Sequence, residues 1–310
     1  MVFSWSFIFY FLFALNLFTM SSNTVSSYFS KESYLGKRNQ NPNDDKNDES
    51  SFKRRKLDKI NQDDTNNEYI LDVFGINGLI YIPNFLSNEE EENLIENINT
   101  KEWSSELKRR VQHYGYKYNY KSRSLSEDDK IGDLPLFFES ISKKLQDITF
   151  PKNYFSSYLK KDLNDNINND DLLYQKLWNG KEPNQIIVNE YLPGQGISSH
   201  TDSLIFEDHI VSVSIESSIA MNFIPSKSLL ESNPNLSEYS IVLERRSAII
   251  LSKDARYKWK HCIKNRKSDK NVVKVSIYSG DEDKKYEQNT IDLKRNKRIS
   301  LTFRRAIISS

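Results

Sequence analysis

His200-Thr201-Asp202 sets an imidazole and a carboxylate two positions apart, after the turn-forming run Leu192-Pro193-Gly194-Gln195-Gly196. In extended backbone the first and third residues of such a triplet project to the same side, so both side chains can reach one metal ion. His-x-Asp triplets arise often by chance, and a histidine on a turn is ordinarily a surface residue, so a further ligand is needed to give the triplet meaning. The chain has four histidines, His113, His200, His209 and His261. His261 follows the apolar run Ser247–Leu251, and a neighbouring strand of a folded sheet can return it to His200. Two histidines and one carboxylate on one face of iron(II) leave positions open for a co-substrate and dioxygen.

The C-terminal run Arg298-Ile299-Ser300-Leu301-Thr302-Phe303-Arg304 alternates without a break. Ile299, Leu301 and Phe303 would enter a core while Arg298, Ser300, Thr302 and Arg304 stand together on the opposite face. By itself the pattern suits a half-exposed edge strand with solvated arginines. A dicarboxylic acid bound inside a barrel, however, needs this combination of guanidinium forks and hydroxyl donors. Asn189 and Tyr191, two apart before the Pro-Gly turn, share a face from which Glu190 points away.

Sheets must position these residues. Candidate strands lie at Gln185–Tyr191, Ile210–Ile215, Ile219–Phe223, Ser247–Leu251, Val272–Tyr278 and Ile299–Phe303. Upstream, Gly78 to Ile82 reads as a short strand, and Ser87 with Glu90 forms a capping-box pair for a helix buried through Leu94, Ile95 and Ile98. A second helix is expected after Asp133, where Phe137, Phe138, Ile141, Leu145 and Ile148 share one helical face. Asn164 to Asp171 reads as a loop. Many short strands after two helices make the expected fold mainly β with flanking helices, a double-stranded β-helix or jelly roll.

The chain carries 44 Lys plus Arg against 43 Asp plus Glu, a formal charge of +1, so no global field draws it to nucleic acid or anionic lipid, and any basic site is local. Cys262 is the sole cysteine, which excludes an internal disulfide framework or a multi-cysteine metal site and suits a reducing compartment. Hydrophobic residues make up 37% of the chain, enough for one sizeable domain, expected over residues 68–310. Residues 1–20, apolar but for Ser4, Ser6, Asn16 and Thr19, read either as a membrane anchor with a cytosolic body or as the product of an upstream start codon. Residues 21–67 read as a disordered polar tail. Within it Lys53 to Lys56, preceded by Lys37 and Arg38, resembles a two-part nuclear import signal, or is a solvated basic patch; the cytoplasm, the nucleus or both are the expected compartments.

Lys108 to Arg123 contains no acidic residue. If extended, it presents Tyr114, Tyr116, Tyr118 and Tyr120 on one face and His113, Lys117, Lys121 and Arg123 on the other. Stacking rings beside phosphate-binding cations suit single-stranded nucleic acid. A tyrosine-rich strand packed on the sheet is the structural alternative.

In chain order, Asn189 to Ile197, His200-Thr201-Asp202, His261 and Arg298-x-Ser300-x-Thr302-x-Arg304 resemble the AlkB branch of the iron(II)- and 2-oxoglutarate-dependent dioxygenases. The resemblance implies that His200, Asp202 and His261 hold iron and that Asn189 and Tyr191 contact 2-oxoglutarate. It further implies that Arg298 pairs with the distal carboxylate and that Ser300 and Arg304 complete the pocket. Ser300 stands where the bacterial prototype has asparagine. Within the family, Ser203 to Ile215, Met221-Asn222-Phe223, Arg245-Arg246-Ser247 and Arg256-Tyr257-x-Trp259-x-His261 look most like AlkB homologue eight, the branch that hydroxylates a modified wobble uridine in tRNA. That likeness implies a tRNA substrate gripped by Lys108, Arg110, His113, Tyr114, Tyr116, Lys117, Lys121 and Arg123. It also implies a separate methyltransferase as partner, in place of the methyltransferase domain that accompanies the animal enzyme. Other activities share these residues: demethylation of alkylated RNA or DNA bases, oxygenation of protein side chains, and RNA binding by a jelly roll without turnover.

Overall fold

A computed structural model describes residues 68–119, 122, 124–151, 154, 174–277 and 286–308. The apolar segment 1–20, the tail 21–67 with its basic cluster, and the loop expected at 164–171 lie outside the described residues. In chain order the elements begin with β1 (Leu79–Ile82), α1 (Asn88–Asn99), β2 (Val111–Tyr114), α2 (Glu139–Asp147), β3 (Thr149–Pro151) and β4 (Tyr174–Lys176). They continue with β5 (Gln185–Tyr191), β6 (Ile197–His200), β7 (Ile210–Ile215), β8 (Ile219–Pro225), α3 (Lys227–Ser232), β9 (Tyr239–Leu243) and β10 (Ala248–Leu251). The last are α4 (Lys253–Tyr257), β11 (Trp259–Ile263), β12 (Ser268–Ser276), β13 (Glu287–Lys294) and β14 (Arg298–Arg304).

One six-stranded sheet runs β1-β10-β7-β14-β5-β2 and the other β13-β12-β9-β8-β11-β6. Apart from a parallel contact between β12 and β9, the pairings in both are antiparallel. This is the expected jelly roll. Strand β14 is hydrogen-bonded on both sides, to β5 and β7, so its alternation is that of a central strand and not of an edge. Ile299, Leu301 and Phe303 are fully buried among the side chains of α1 and α2, each contributing about 1.5–3 kcal/mol through burial. The opposite face turns Arg298, Ser300, Thr302 and Arg304 into a cavity.

Helix α1 starts as its sequence dictates. Ser87 Oγ accepts the Glu90 amide at 3.1 Å while the Glu90 carboxylate accepts the Ser87 amide at 2.7 Å, and Leu94 and Ile98 are buried. Glu91, also buried, accepts from Arg245 at 2.8 Å and Arg246 at 3.3 Å, tying the helix to the turn between β9 and β10. Helix α2 begins later than the pattern suggests, at Glu139 after a 3-10 turn over Leu136–Phe138. Pro135 keeps Leu134 out of helical backbone and, with ψ at 144°, is itself extended as the cap of that 3-10 turn, so the α-helix follows the turn.

Strand β12 starts four residues earlier than expected, at Ser268. Strand β13 is largely exposed and carries polar residues at most positions, so it shows no apolar alternation to read. Strand β2 ends at Gly115, where φ is +77° and an added Cβ would stand 1.9 Å from the Asn184 carbonyl; only glycine fits this approach. The extended ladder expected through Tyr120 is therefore broken there. Among the described residues no helix is long and apolar enough to cross a membrane.

Candidate active site

The edge of the second sheet brings the metal-ligand candidates together. His261 on β11 pairs directly across from His200 on β6, and their ring centroids lie 4.4 Å apart. Close approach of the two strands depends on Gly196, where a Cβ would meet the Ile263 carbonyl at 2.1 Å. Asp202 follows β6 and lies 3.5 Å from His261 Nε2. His200, Asp202 and His261 each offer a ligand atom, and these atoms lie within 4.8 Å of one another. His200 Nδ1 donates to the Ser198 carbonyl at 2.8 Å, which fixes the ring and leaves its lone pair on Nε2. Burial alone would raise the Asp202 carboxyl, but Arg304, His261 and His200 hold it down at about 2. Burial brings His261 down to about 4, so at neutral pH it is an unprotonated imidazole beside a carboxylate. Two imidazoles and one carboxylate suit iron(II).

Two arginines brace the loop that carries Asp202. Arg304 Nη2 donates to Asp202 Oδ1 at 2.6 Å. Arg256, buried, donates to the Asp202 carbonyl at 2.8 Å and to the Ser203 carbonyl at 2.6 Å. Arg298 is different: it is 0% exposed, its Nη2 donates to Ser214 Oγ at 2.8 Å, and its Nη1 has no hydrogen-bond partner. Burial brings its pKa down to about 10. No carboxylate among the described residues pairs with it, and an unbalanced buried charge costs several kcal/mol; the carboxylate of a bound dicarboxylic acid fits the unpaired donor.

His200, Asp202, His261, Asn189, Tyr191, Arg298, Ser300 and Arg304 line one cavity of about 1060 Å³. Ser300 Oγ is 2.9 Å from Ser212 Oγ. The residues expected to grip substrate are more scattered. Lys108 lines the mouth. Arg110 turns the other way, 2.6 Å from Glu190 and over the Trp103 ring. Both His113 and Lys117 lie against Glu106, at 3.0 and 3.4 Å. Tyr114 packs against Phe137 and Phe138, and the buried Tyr116 donates to Glu127. Neither ring lines the cavity, so as placed they do not form its stacking platform. Lys121 and Arg123 lie outside the described residues.

Tyr118, one of the four tyrosines expected on a stacking face, does line the cavity, and so do three cations to which the sequence assigned no role, Arg109, Arg256 and Lys260. The place of Arg109 follows from the strand register. Val111 pairs with Asn189, so two residues earlier Arg109 faces Tyr191 on the cavity side, and Arg110 falls on the outer side with Glu190.

A family model described as the 2OG-Fe(II) oxygenase superfamily matches residues 78–304. A Xenopus tropicalis protein named tRNA (carboxymethyluridine(34)-5-O)-methyltransferase alkbh8 is 32% identical over 241 residues, covering 74% of this chain and 31% of its own length. An Arabidopsis thaliana protein named alkylated DNA repair protein ALKBH8 homolog is 32% identical, over 64% of this chain and 54% of its own. An uncharacterized protein of Acanthamoeba polyphaga mimivirus, L905, is 30% identical over 75% of this chain and 86% of its own. The chain thus spans about a third of the frog relative and about half of the plant one. With the matched region running from the first strand of the jelly roll to the last, the chain belongs to the 2OG-Fe(II) oxygenase superfamily, as an AlkB-like dioxygenase dependent on iron(II), 2-oxoglutarate and dioxygen.

Proposed function

We propose that this chain oxidises a base of RNA, hydroxylating a modified uridine at the wobble position of tRNA, with residues 68–310 as the oxygenase domain. The observation that carries the reading is one cavity with the His200, Asp202 and His261 cluster at the β6–β11 edge, Arg298 in its wall, and cations at an open mouth. Iron(II), when bound with 2-oxoglutarate and dioxygen, supplies oxidation of a C–H bond, 2-oxoglutarate leaving as succinate and carbon dioxide. His200, Asp202 and His261 would hold the metal. Arg298 would take the distal carboxylate, with Asn189, Tyr191 and Ser300 lining the co-substrate's seat. Arg304 and Arg256 keep Asp202 ionised and its loop in place, so the chain's contribution is mainly positioning and exclusion of water.

The RNA part of the reading draws on likeness to relatives named for a tRNA wobble-position base and for DNA repair, and on the local basic mouth in a chain with a formal charge of +1. An unpaired loop base can enter such a cavity without breaking a duplex. Lys108 at the mouth belongs to this reading, as do Lys121 and Arg123. A methyltransferase acting on the same base is the partner proposed. Nucleoside mass spectrometry of tRNA, alkylated oligonucleotides and peptides after incubation with iron(II), 2-oxoglutarate and air tests it. One added oxygen on the wobble uridine is expected. Loss of methyl groups from alkylated bases, with the uridine untouched, would replace hydroxylation by demethylation; oxidation of peptides alone would end the nucleic-acid reading.

A further inference from the structure

The cavity's charge is lopsided. Its lining includes the cations Lys108, Arg109, Arg256, Lys260, Arg298 and Arg304, against the single carboxylate of Asp202. Arg304 is taken up by Asp202, Arg256 by backbone carbonyls, and Arg298 by the co-substrate in the proposed function. With the dianion of 2-oxoglutarate balanced by Arg298 and the metal, the lining still holds Lys108, Arg109 and Lys260, none of which is paired with a carboxylate among the described residues.

Arg109 is the best placed of these cations. Its Nε donates to Asn189 Oδ1 at 2.8 Å and its guanidinium carbon lies 5.5 Å from the centre of the Tyr191 ring. An amide and an aromatic face hold the fork in position without cancelling its charge. The neighbouring carboxylate that could have done so, Glu190, is engaged bidentately by Arg110 at 2.9 and 2.6 Å. Arg109 also borders an adjoining recess of about 350 Å³ whose lining includes Lys108, Gln195, Lys297 and the Arg110–Glu190 pair. A held, half-buried guanidinium with free terminal N–H groups is a receptor for a planar or tetrahedral anion.

Resting on the proposed function, we propose that Arg109 is a specificity-determining residue that binds an anionic group of the substrate. That group is a carboxylate on the oxidised base or the phosphate next to it. Arg109→Met removes the charge and keeps most of the stem; Arg109→Lys keeps the charge without the fork. Both are compared with wild type, using one RNA sequence that carries carboxymethyluridine, or its neutral methyl ester, at the target position. RNA binding by fluorescence anisotropy is measured apart from turnover, and 2-oxoglutarate binding is measured with iron(II) in the absence of RNA.

Arg109→Met is expected to weaken RNA binding at least tenfold while 2-oxoglutarate binding stays within about twofold of wild type, and Arg109→Lys to restore part of the loss. A loss confined to the acid identifies the base carboxylate as the anion. An equal loss for acid and ester, with a shallower salt dependence, identifies phosphate. Unchanged RNA binding in Arg109→Met, or a tenfold loss of 2-oxoglutarate affinity in its place, overturns the proposal. Wild-type protein that binds both RNAs but oxidises neither overturns the hydroxylase reading and leaves the Arg109 test standing; RNA that is neither bound nor oxidised overturns both.

Discussion

Arg298 has a wholly buried guanidinium with one nitrogen unpartnered, and in the proposed function the distal carboxylate of 2-oxoglutarate completes it. Removing one partner of a buried charged pair costs about 3–5 kcal/mol, so Arg298→Ala is expected to raise the 2-oxoglutarate requirement by roughly two orders of magnitude or more. Arg305, one residue out of phase, pairs with Glu207 at 3.0 Å, and Arg305→Ala is expected to leave that requirement unchanged. Titration of both variants with 2-oxoglutarate decides it; equal affinity in wild type and Arg298→Ala removes the carboxylate assignment. His209 makes a different prediction. Its Nδ1 accepts the Trp178 amide at 3.3 Å, and burial lowers its pKa from 6.5 to about 4. The unfolded chain therefore takes up this proton as pH falls through 6.5, while the folded protein resists until about 4. The resulting stability, of the order of 3 kcal/mol, is fully present above the upper value and lost across the window. His209→Asn keeps an acceptor but cannot titrate, so its unfolding free energy should decline less steeply with acid over that range. An identical slope in the two proteins refutes the assignment. At this scale much was legible: the alternation of β14 alone separates Arg298, on the polar face, from Ile299 on the apolar one. Arg109 was missed because the run from Lys108 was phased on its tyrosines, and Gly115 breaks that phase.

Strand β6 has four residues, only partly buried, yet it presents His200 to His261. Its alignment rests on the contact between Gly196 and the Ile263 backbone, where an added Cβ finds a carbonyl oxygen that cannot swing aside. Gly196→Ala should push β6 from β11 and separate the imidazoles, lowering iron(II) affinity at least tenfold while Arg298, on the other sheet, keeps its place. Metal titration by isothermal calorimetry, with circular dichroism to confirm the fold, tests this; native affinity would show that the strands accommodate the methyl group. Elements with a strong apolar period were readable from sequence, including β5, β7 and the capped start of α1. The polar β13, the delayed start of α2 and the end of β2 were not, because an exposed strand, a proline-set turn and a backbone approach carry little apolar period. The cavity-side parity of β2 follows only from its register with β5.

At the scale of the molecule, two sheets bring together residues separated by more than a hundred positions in the chain. Asn189 and Tyr191 come from β5, His200 from β6, His261 from β11, and Arg298 through Arg304 from β14. No window of sequence contains this site; it was legible only because its motifs occur in a familiar order. Which lid side chains face inward depends on pairings that sequence alone does not fix. Together these residues of β5, β6, β11 and β14 form one site for iron(II) and 2-oxoglutarate. Anaerobic addition of both to the purified protein, followed by visible absorption, tests it most directly. The predicted result is a metal-to-ligand charge-transfer band that is present in wild type and Arg305→Ala and absent in His200→Ala and Asp202→Ala. A band of undiminished intensity in both ligand variants would contradict it.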